Sequence, residues 1–214
     1  MRKYSQAGAL FVLVVLPVLV FVFLKVFGRN HFEVPRYNPV VDAAGKTVKV
    51  GKDTVFRAVE ACEMYNEKDQ KVGVPASESI SVIVFLDDTC DANCQKRQKQ
   101  LLRVQEMFAN NPEVKLFALT DSTQKNNLNE LSLKAKADPA KWFFLRANPK
   151  RVKRLKSEEI FLKNPRYAKT FEFKKSFVLI DKERYVRGFY DGTNPEDVDR
   201  LTVEIKILLD NYKE

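Results

Sequence analysis

The sequence predicts an α/β domain, with a mixed sheet between two helical layers, carried on a single N-terminal transmembrane helix. Three observations predict it. An uncharged apolar run, Ala7 to Leu24, lies near the start of the chain. A second, shorter apolar run, Ile80 to Leu86, leads directly into two cysteines and a helical pattern. Beyond it, strand-like and helix-like segments alternate, and the last two strands flank a short turn.

The first segment has the length of a membrane span. About 20 residues at roughly 1.5 Å each cross a hydrocarbon core of about 30 Å, and Val26 and Phe27 extend the run past Lys25. Pro17 is tolerated in such a helix. A cleaved signal peptide has an apolar core of about 7–15 residues ending in small residues. The exit here, Leu24-Lys25-Val26-Phe27-Gly28-Arg29, has no such site. Arg2 and Lys3 on one side and Lys25, Arg29 and Arg36 on the other leave the positive-inside rule undecided. A short tail before a large domain suits an anchor in the cell inner membrane with the domain on the periplasmic or extracytoplasmic side. The predicted organisation is an anchor over 1–28, a polar linker over 29–39, and one domain over 40–214.

Within the domain, Val40 to Val50 reads as a hairpin turning at Ala44-Gly45-Lys46. Thr54 to Tyr65 reads as a helix, which puts Cys62 on it as a buried apolar cysteine. Asn66 to Ser79 is polar, contains Gly73 and Pro75, and reads as a loop. Ile80 to Leu86 is rich in β-branched residues, as expected of a strand covered on both faces. Asp91 or Asn93 can cap the helix that follows. Leu101, Leu102, Val104, Met107 and Phe108 fall at helical spacing and are expected in its core face, up to a stop at Asn110-Asn111-Pro112. Val114 to Leu119 is the next strand, Leu128 to Ala137 a helix, and Trp142 to Leu145 a short strand. Ser176 to Asp181 and Tyr185 to Tyr190 are two strands joined at Lys182-Glu183-Arg184. Asn194 starts the last helix, with Val198, Leu201, Ile205, Leu208 and Leu209 facing inward. Strands alternating with helices, closed by a hairpin and a helix, are the thioredoxin-like three-layer plan with an added N-terminal hairpin.

The formal charge is +9. Arg2, Lys3 and Lys25 supply three of these charges, so the rest of the chain is only moderately basic. Its densest basic run, Lys150 to Lys156, is a solvated helix face or a contact for acidic partners or headgroups. The basic residues are not interleaved with a stacking platform, which argues against nucleic acid. No nucleotide-binding glycine loop, Ser/His/Asp arrangement or zinc spacing occurs.

The chemistry-bearing motif is Thr89-Cys90-Asp91-Ala92-Asn93-Cys94. A helix start leaves N–H groups unpaired and carries partial positive charge, so a thiolate there is stabilised. Cysteines at i and i+4 share a face and can close a disulfide or hold one soft metal ion. Asp91 either raises the thiol pKa as a neighbouring carboxylate or caps the helix, and capping is favoured. Asp87 and Asp88 are solvated loop residues or proton acceptors. The alternative for Cys90 and Cys94 is a static structural disulfide or two idle thiols.

The surrounding segments resemble the SCO/SenC family, membrane-anchored thioredoxin-fold proteins that help install copper in cytochrome c oxidase. Thr89-Cys90-x-x-x-Cys94 is similar to its T-C-P-x-x-C-P motif, and downstream Asp121, at the end of the Val114 to Leu119 strand, matches the family's acidic residue near that strand end. Asp138 to Leu145 resembles its D-x-x-x-W-x-F-L signature. Phe177 to Glu183 and Val186 to Thr193 resemble its "FVLVDKEG" and "IRGYYDGT" pair. The resemblance implies Cys90 and Cys94 as the redox pair and, with a histidine, as Cu(I) ligands. It also implies a respiratory oxidase subunit or its assembly factors as partner. Two departures stand out. Asp91 and Gln95 replace the motif's prolines. Phe173 occupies the histidine position, and His31 is the only histidine in the chain. The expected function is therefore thiol–disulfide exchange, with Cys90 attacking and Cys94 resolving, and at most weak Cu(I) carriage. The alternatives are a non-catalytic membrane-tethered binding module and a general periplasmic disulfide reductase.

Overall fold

The computed structural model describes residues 2–27, 33–86, 91–121, 127–160 and 176–213. The chain divides into two compact units, Met1–Glu33 and Val34–Glu214. The first contains one helix, α1, Arg2–Phe27, with Pro17 inside it. Its described side chains run from 11 to 23 and are mostly exposed and apolar, Phe11, Leu13 and Phe21 among them. Among the described residues no helix is long and apolar enough to cross a membrane.

The second unit opens with the expected hairpin. The Asp42 and Gly45 amides donate to Lys46 O and Asp42 O, and Gly45 takes the positive φ that the turn needs. A two-stranded ribbon follows, β1 Lys49–Val50 against β2 Asp53–Thr54. The main sheet then assembles from β3 Cys62–Tyr65, β4 Lys71–Val74, β5 Ile80–Phe85, β6 Val114–Asp121, β7 Trp142–Ala147, β8 Ser176–Ile180 and β9 Val186–Asp191. Its order is β4-β3-β7-β6-β5-β8-β9. β5, β6 and β7 are parallel to their neighbours among themselves, and β8 and β9 add antiparallel strands. The helices are α2 Ala92–Met107, α3 Leu128–Lys134, α4 Pro149–Arg154 running into a π-helical turn, Leu155–Ile160, and α5 Pro195–Asn211.

β5 shows why the layers form. All six of its residues are buried. Ile80, Val82 and Val84 pack with Leu101, Val104, Leu201 and Ile205 from α2 and α5. Ile83 and Phe85 pack on the opposite side with Val152, Leu155 and Ile160. Each such side chain contributes about 1.5–3 kcal/mol on burial, so the strand is fixed from both faces. The α/β three-layer plan is the one the sequence predicts.

Four expectations are corrected. Thr54 to Tyr65 is not a helix. Cys62 opens β3, where Cys62, Glu63, Met64 and Tyr65 alternate and only Met64 is fully buried. Asn66 to Ser79 is not all loop. The Asn66 side chain accepts from the Lys68 and Gln70 amides and turns the chain into β4, whose register sets Cys62 opposite Val74. The linker is shorter than 29–39, because Val34 is buried, Arg187 donates to its carbonyl, and the Tyr37 amide donates to Val186 O. Met107 is exposed, because the next residue, Phe108, turns into the core as α2 ends.

Candidate functional site

β5 carries the chain to Phe85 and the buried Leu86. Asp87, Asp88, Thr89 and Cys90 lie outside the described residues. The description resumes at Asp91, which is the N-cap of α2. Its carboxylate accepts from the Cys94 amide at 2.8 Å, and its carbonyl accepts from the Gln95 amide at 3.0 Å. Asp91 is exposed, and its carboxylate satisfies an otherwise open donor of the first turn. Of the two expected caps, Asp91 is the one used, and Asn93 sits inside α2.

Cys94 is disulfide-bonded and 7% exposed. It lines a small apolar cavity with Leu86, Leu101, Trp142 and Phe144. Arg97, one turn further along α2, lines the same cavity and is only 3% exposed. Its Nη1 donates to Phe85 O at 3.1 Å, across the end of β5. Sequence reasoning missed this residue, because lysines, arginines and glutamines at its spacing read as the solvated face. The one signal available was its i, i+3 relation to Cys94.

Asp121 ends β6. Since Phe85 stands opposite Leu119 in parallel register, Asp121 lies at the same end of the sheet as the exit of β5. The Asp138 to Leu145 segment fixes α2 against β7. The Asp138 amide donates to Gln105 Oε1 at 2.8 Å, and Lys141 Nζ donates to Phe108 O and Asn111 O at 2.5 Å each. Burial pushes the Lys141 ammonium pKa down, with the neighbouring Lys115 charge adding to it. In the last hairpin, Arg187 pairs with the fully buried Asp181 at 2.8 Å.

Cys62 is not brought to the motif. It is a free, half-buried thiol whose Sγ donates to Val74 O at 3.5 Å. Burial pushes its pKa up, against the lowering effect of Arg151, and Glu159 adds to the rise. β7 and β6 stand between β3 and β5, so three strand spacings, roughly 14 Å, separate the two strands. The basic run is a mostly solvent-facing helix surface, with Lys150, Lys153 and Arg154 exposed and Arg151 and Lys156 half-buried. Arg151 and Arg154 bond Glu159 and Glu60, and Lys156 Nζ sits 4.7 Å above the Phe85 ring.

No protein-family model and no curated protein matches the sequence. Solved structures do match. A SCO1/SenC family lipoprotein from Bacillus anthracis superposes with a TM-score of 0.59 at 16% identity, over 72% of this chain and 95% of that one. BsSco, described as a member of the Sco family of cytochrome c oxidase assembly proteins with a disulfide switch, gives 0.57 at 16% identity, over 70% and 92%. The chain has the fold of the SCO1/SenC proteins. The same thioredoxin-like fold appears in the thioredoxin domain of a Bacteroides vulgatus thiol-disulfide oxidoreductase, with a TM-score of 0.51 at 15% identity, over 70% and 95%.

The copper site implied by the resemblance does not fit these residues. It needs an imidazole beside two thiolates, and no histidine follows His31. His31 and Phe173 both lie outside the described residues. Among the described residues, no group of three His, Cys, Asp or Glu side chains is placed to hold a metal ion.

Proposed function

We propose that this chain is a SCO-like thiol–disulfide exchanger, anchored by α1 in the inner membrane, that acts on the cysteines of a respiratory oxidase subunit or its assembly factors. One observation carries the reading. Cys94 is a buried, disulfide-bonded cysteine in the capped first turn of the helix that follows a fully buried strand. The chain has three cysteines and Cys62 is free, which leaves Cys90 as the partner sulfur.

To reduce a partner disulfide, the Cys90 thiolate attacks one partner sulfur and releases the other as a thiolate. Cys94 then attacks Cys90 Sγ, closes the intramolecular disulfide and releases the second partner thiolate. Two electrons pass to the partner, and its thiolates take up two protons from water. Burial of Cys94 suits the resolving role, since an incoming protein disulfide cannot reach it directly. Once reduced, the same two thiolates can also carry Cu(I) in a two-coordinate way, without the imidazole.

The test is trapping in cells. Cys94→Ser removes the resolving sulfur, so a Cys90-dependent mixed disulfide with an oxidase component accumulates on non-reducing gels. Its absence, or an adduct that survives Cys90→Ser, rejects the reading. Adducts only with unrelated periplasmic proteins support a general disulfide reductase instead.

A further inference from the structure

We infer that Arg97 is the positioning residue for this exchange, supplying the positive charge that stabilises the Cys94 sulfur when it leaves as a thiolate. The inference rests on the thiol-exchange reading and adds a residue to it. Cys94 and Arg97 are three positions apart on α2, so their side chains share a face. Both line the same small apolar cavity, walled by Leu86, Trp142 and Phe144. Arg97 is 3% exposed, and its Nη1 is tied to Phe85 O at 3.1 Å. That carbonyl belongs to the last residue of β5, where the chain leaves the sheet for the motif.

Position and burial together give this charge its weight. A guanidinium tied to the backbone cannot swing into solvent, and a charge shut away from water acts at a much lower effective dielectric than an exposed one. The other described charges on α2 near the motif are exposed. Asp91 is engaged with the Cys94 amide, and Lys96 and Lys99 face solvent, where salt and water screen them. The partial positive charge of the helix start has the same sign as Arg97 and adds to it.

The step it assists is the opening of the Cys90–Cys94 bond. A partner thiolate attacks Cys90 Sγ, and the electron pair of the broken bond goes to Cys94 Sγ. A second partner thiolate then displaces Cys90, so two electrons move from the partner dithiol to this pair. A cation beside Cys94 favours the reduced pair at equilibrium and makes Cys94 the better leaving group. Arginine suits the task because it keeps its charge when buried.

The experiment equilibrates the full-length protein, in detergent micelles, with reduced and oxidised glutathione. Alkylation counts the thiols in wild type, Arg97→Gln, Arg97→Met and Arg97→Lys. Arg97→Gln keeps a donor for Phe85 O without charge, Arg97→Met fills the volume with neither, and Arg97→Lys keeps the charge. The two neutral variants shift the equilibrium constant roughly tenfold or more toward the disulfide, and the lysine variant stays within about threefold of wild type. A neutral variant that folds and keeps the wild-type constant overturns the inference. Loss of folding in both neutral variants also counts against it, since that assigns Arg97 to structure. Absence of any cysteine-dependent transition in wild type is a separate outcome, which rejects the exchange reading itself.

Discussion

Replacing Asp91 separates its two possible effects on the motif, a cap on α2 and a negative charge beside the thiols. Its carboxylate makes one bond to the helix, to the Cys94 amide at 2.8 Å. Loss of an aspartate cap costs about 0.5–2 kcal/mol, typically about 1. Asparagine caps about as well as aspartate. Asp91→Ala is therefore expected to lose about 1 kcal/mol, which lowers the midpoint by about 2–4 °C in a domain of this size. Asp91→Asn should lose well under half of that. The assay is thermal and urea unfolding followed by circular dichroism, with the disulfide intact. An Asp91→Ala variant as stable as wild type, or an Asp91→Asn variant that loses as much as the alanine, refutes the capping account.

Further predictions concern the frame and the third cysteine. Asp181→Ala leaves the Arg187 guanidinium buried without its 2.8 Å partner. It should cost about 3–5 kcal/mol in urea unfolding, whereas breaking the exposed Lys213–Asp210 pair should leave the urea midpoint unchanged. Gly188→Ala puts a Cβ about 2.2 Å from Tyr190 Oη, which is itself bonded to Glu204. A loss of about 1–3 kcal/mol is expected, and an unchanged urea midpoint would mean that Tyr190 does not pack there. Burial raises the Cys62 pKa, so the neutral thiol dominates through neutral pH. Its alkylation should be slow at pH 7 and still climbing above pH 9.0, and a rate that levels off below pH 8 would contradict the half-buried environment.

The centre of the fold was legible because its signals are strong and local. β5 is a β-branched run with every residue buried, and α5 places Val198, Leu201, Ile205 and Leu208 at helical spacing. The edge of the sheet was not legible. β3 and β4 are four residues each, and Lys71, Gly73, Glu63 and Tyr65 face solvent. Val55, Val59 and Cys62 meanwhile fall at spacings that imitate a helix. Pairing with β4 along its length, and with β7 through Tyr65 and Arg146, makes β3 a strand, and the long-range pairing to β7 leaves no local trace. The site divided in the same way. The cysteine spacing and the Asp91 cap follow from short-range rules, and the structure bears out the cap. The burial of Arg97 depends on Phe85 and on the apolar wall formed by β5 and β7, neither of which its neighbours in sequence reveal.

The central claim is that Cys90 and Cys94 form a reversible two-electron couple. The most direct measurement equilibrates the full-length protein across a series of glutathione redox buffers and counts alkylated thiols by mass, beside a Cys90→Ser/Cys94→Ser variant. The account predicts a single two-electron transition in wild type, involving two thiols, that the double variant lacks while its Cys62 stays alkylatable. A pair that remains closed across the whole series, or a transition that persists in the double variant, contradicts it.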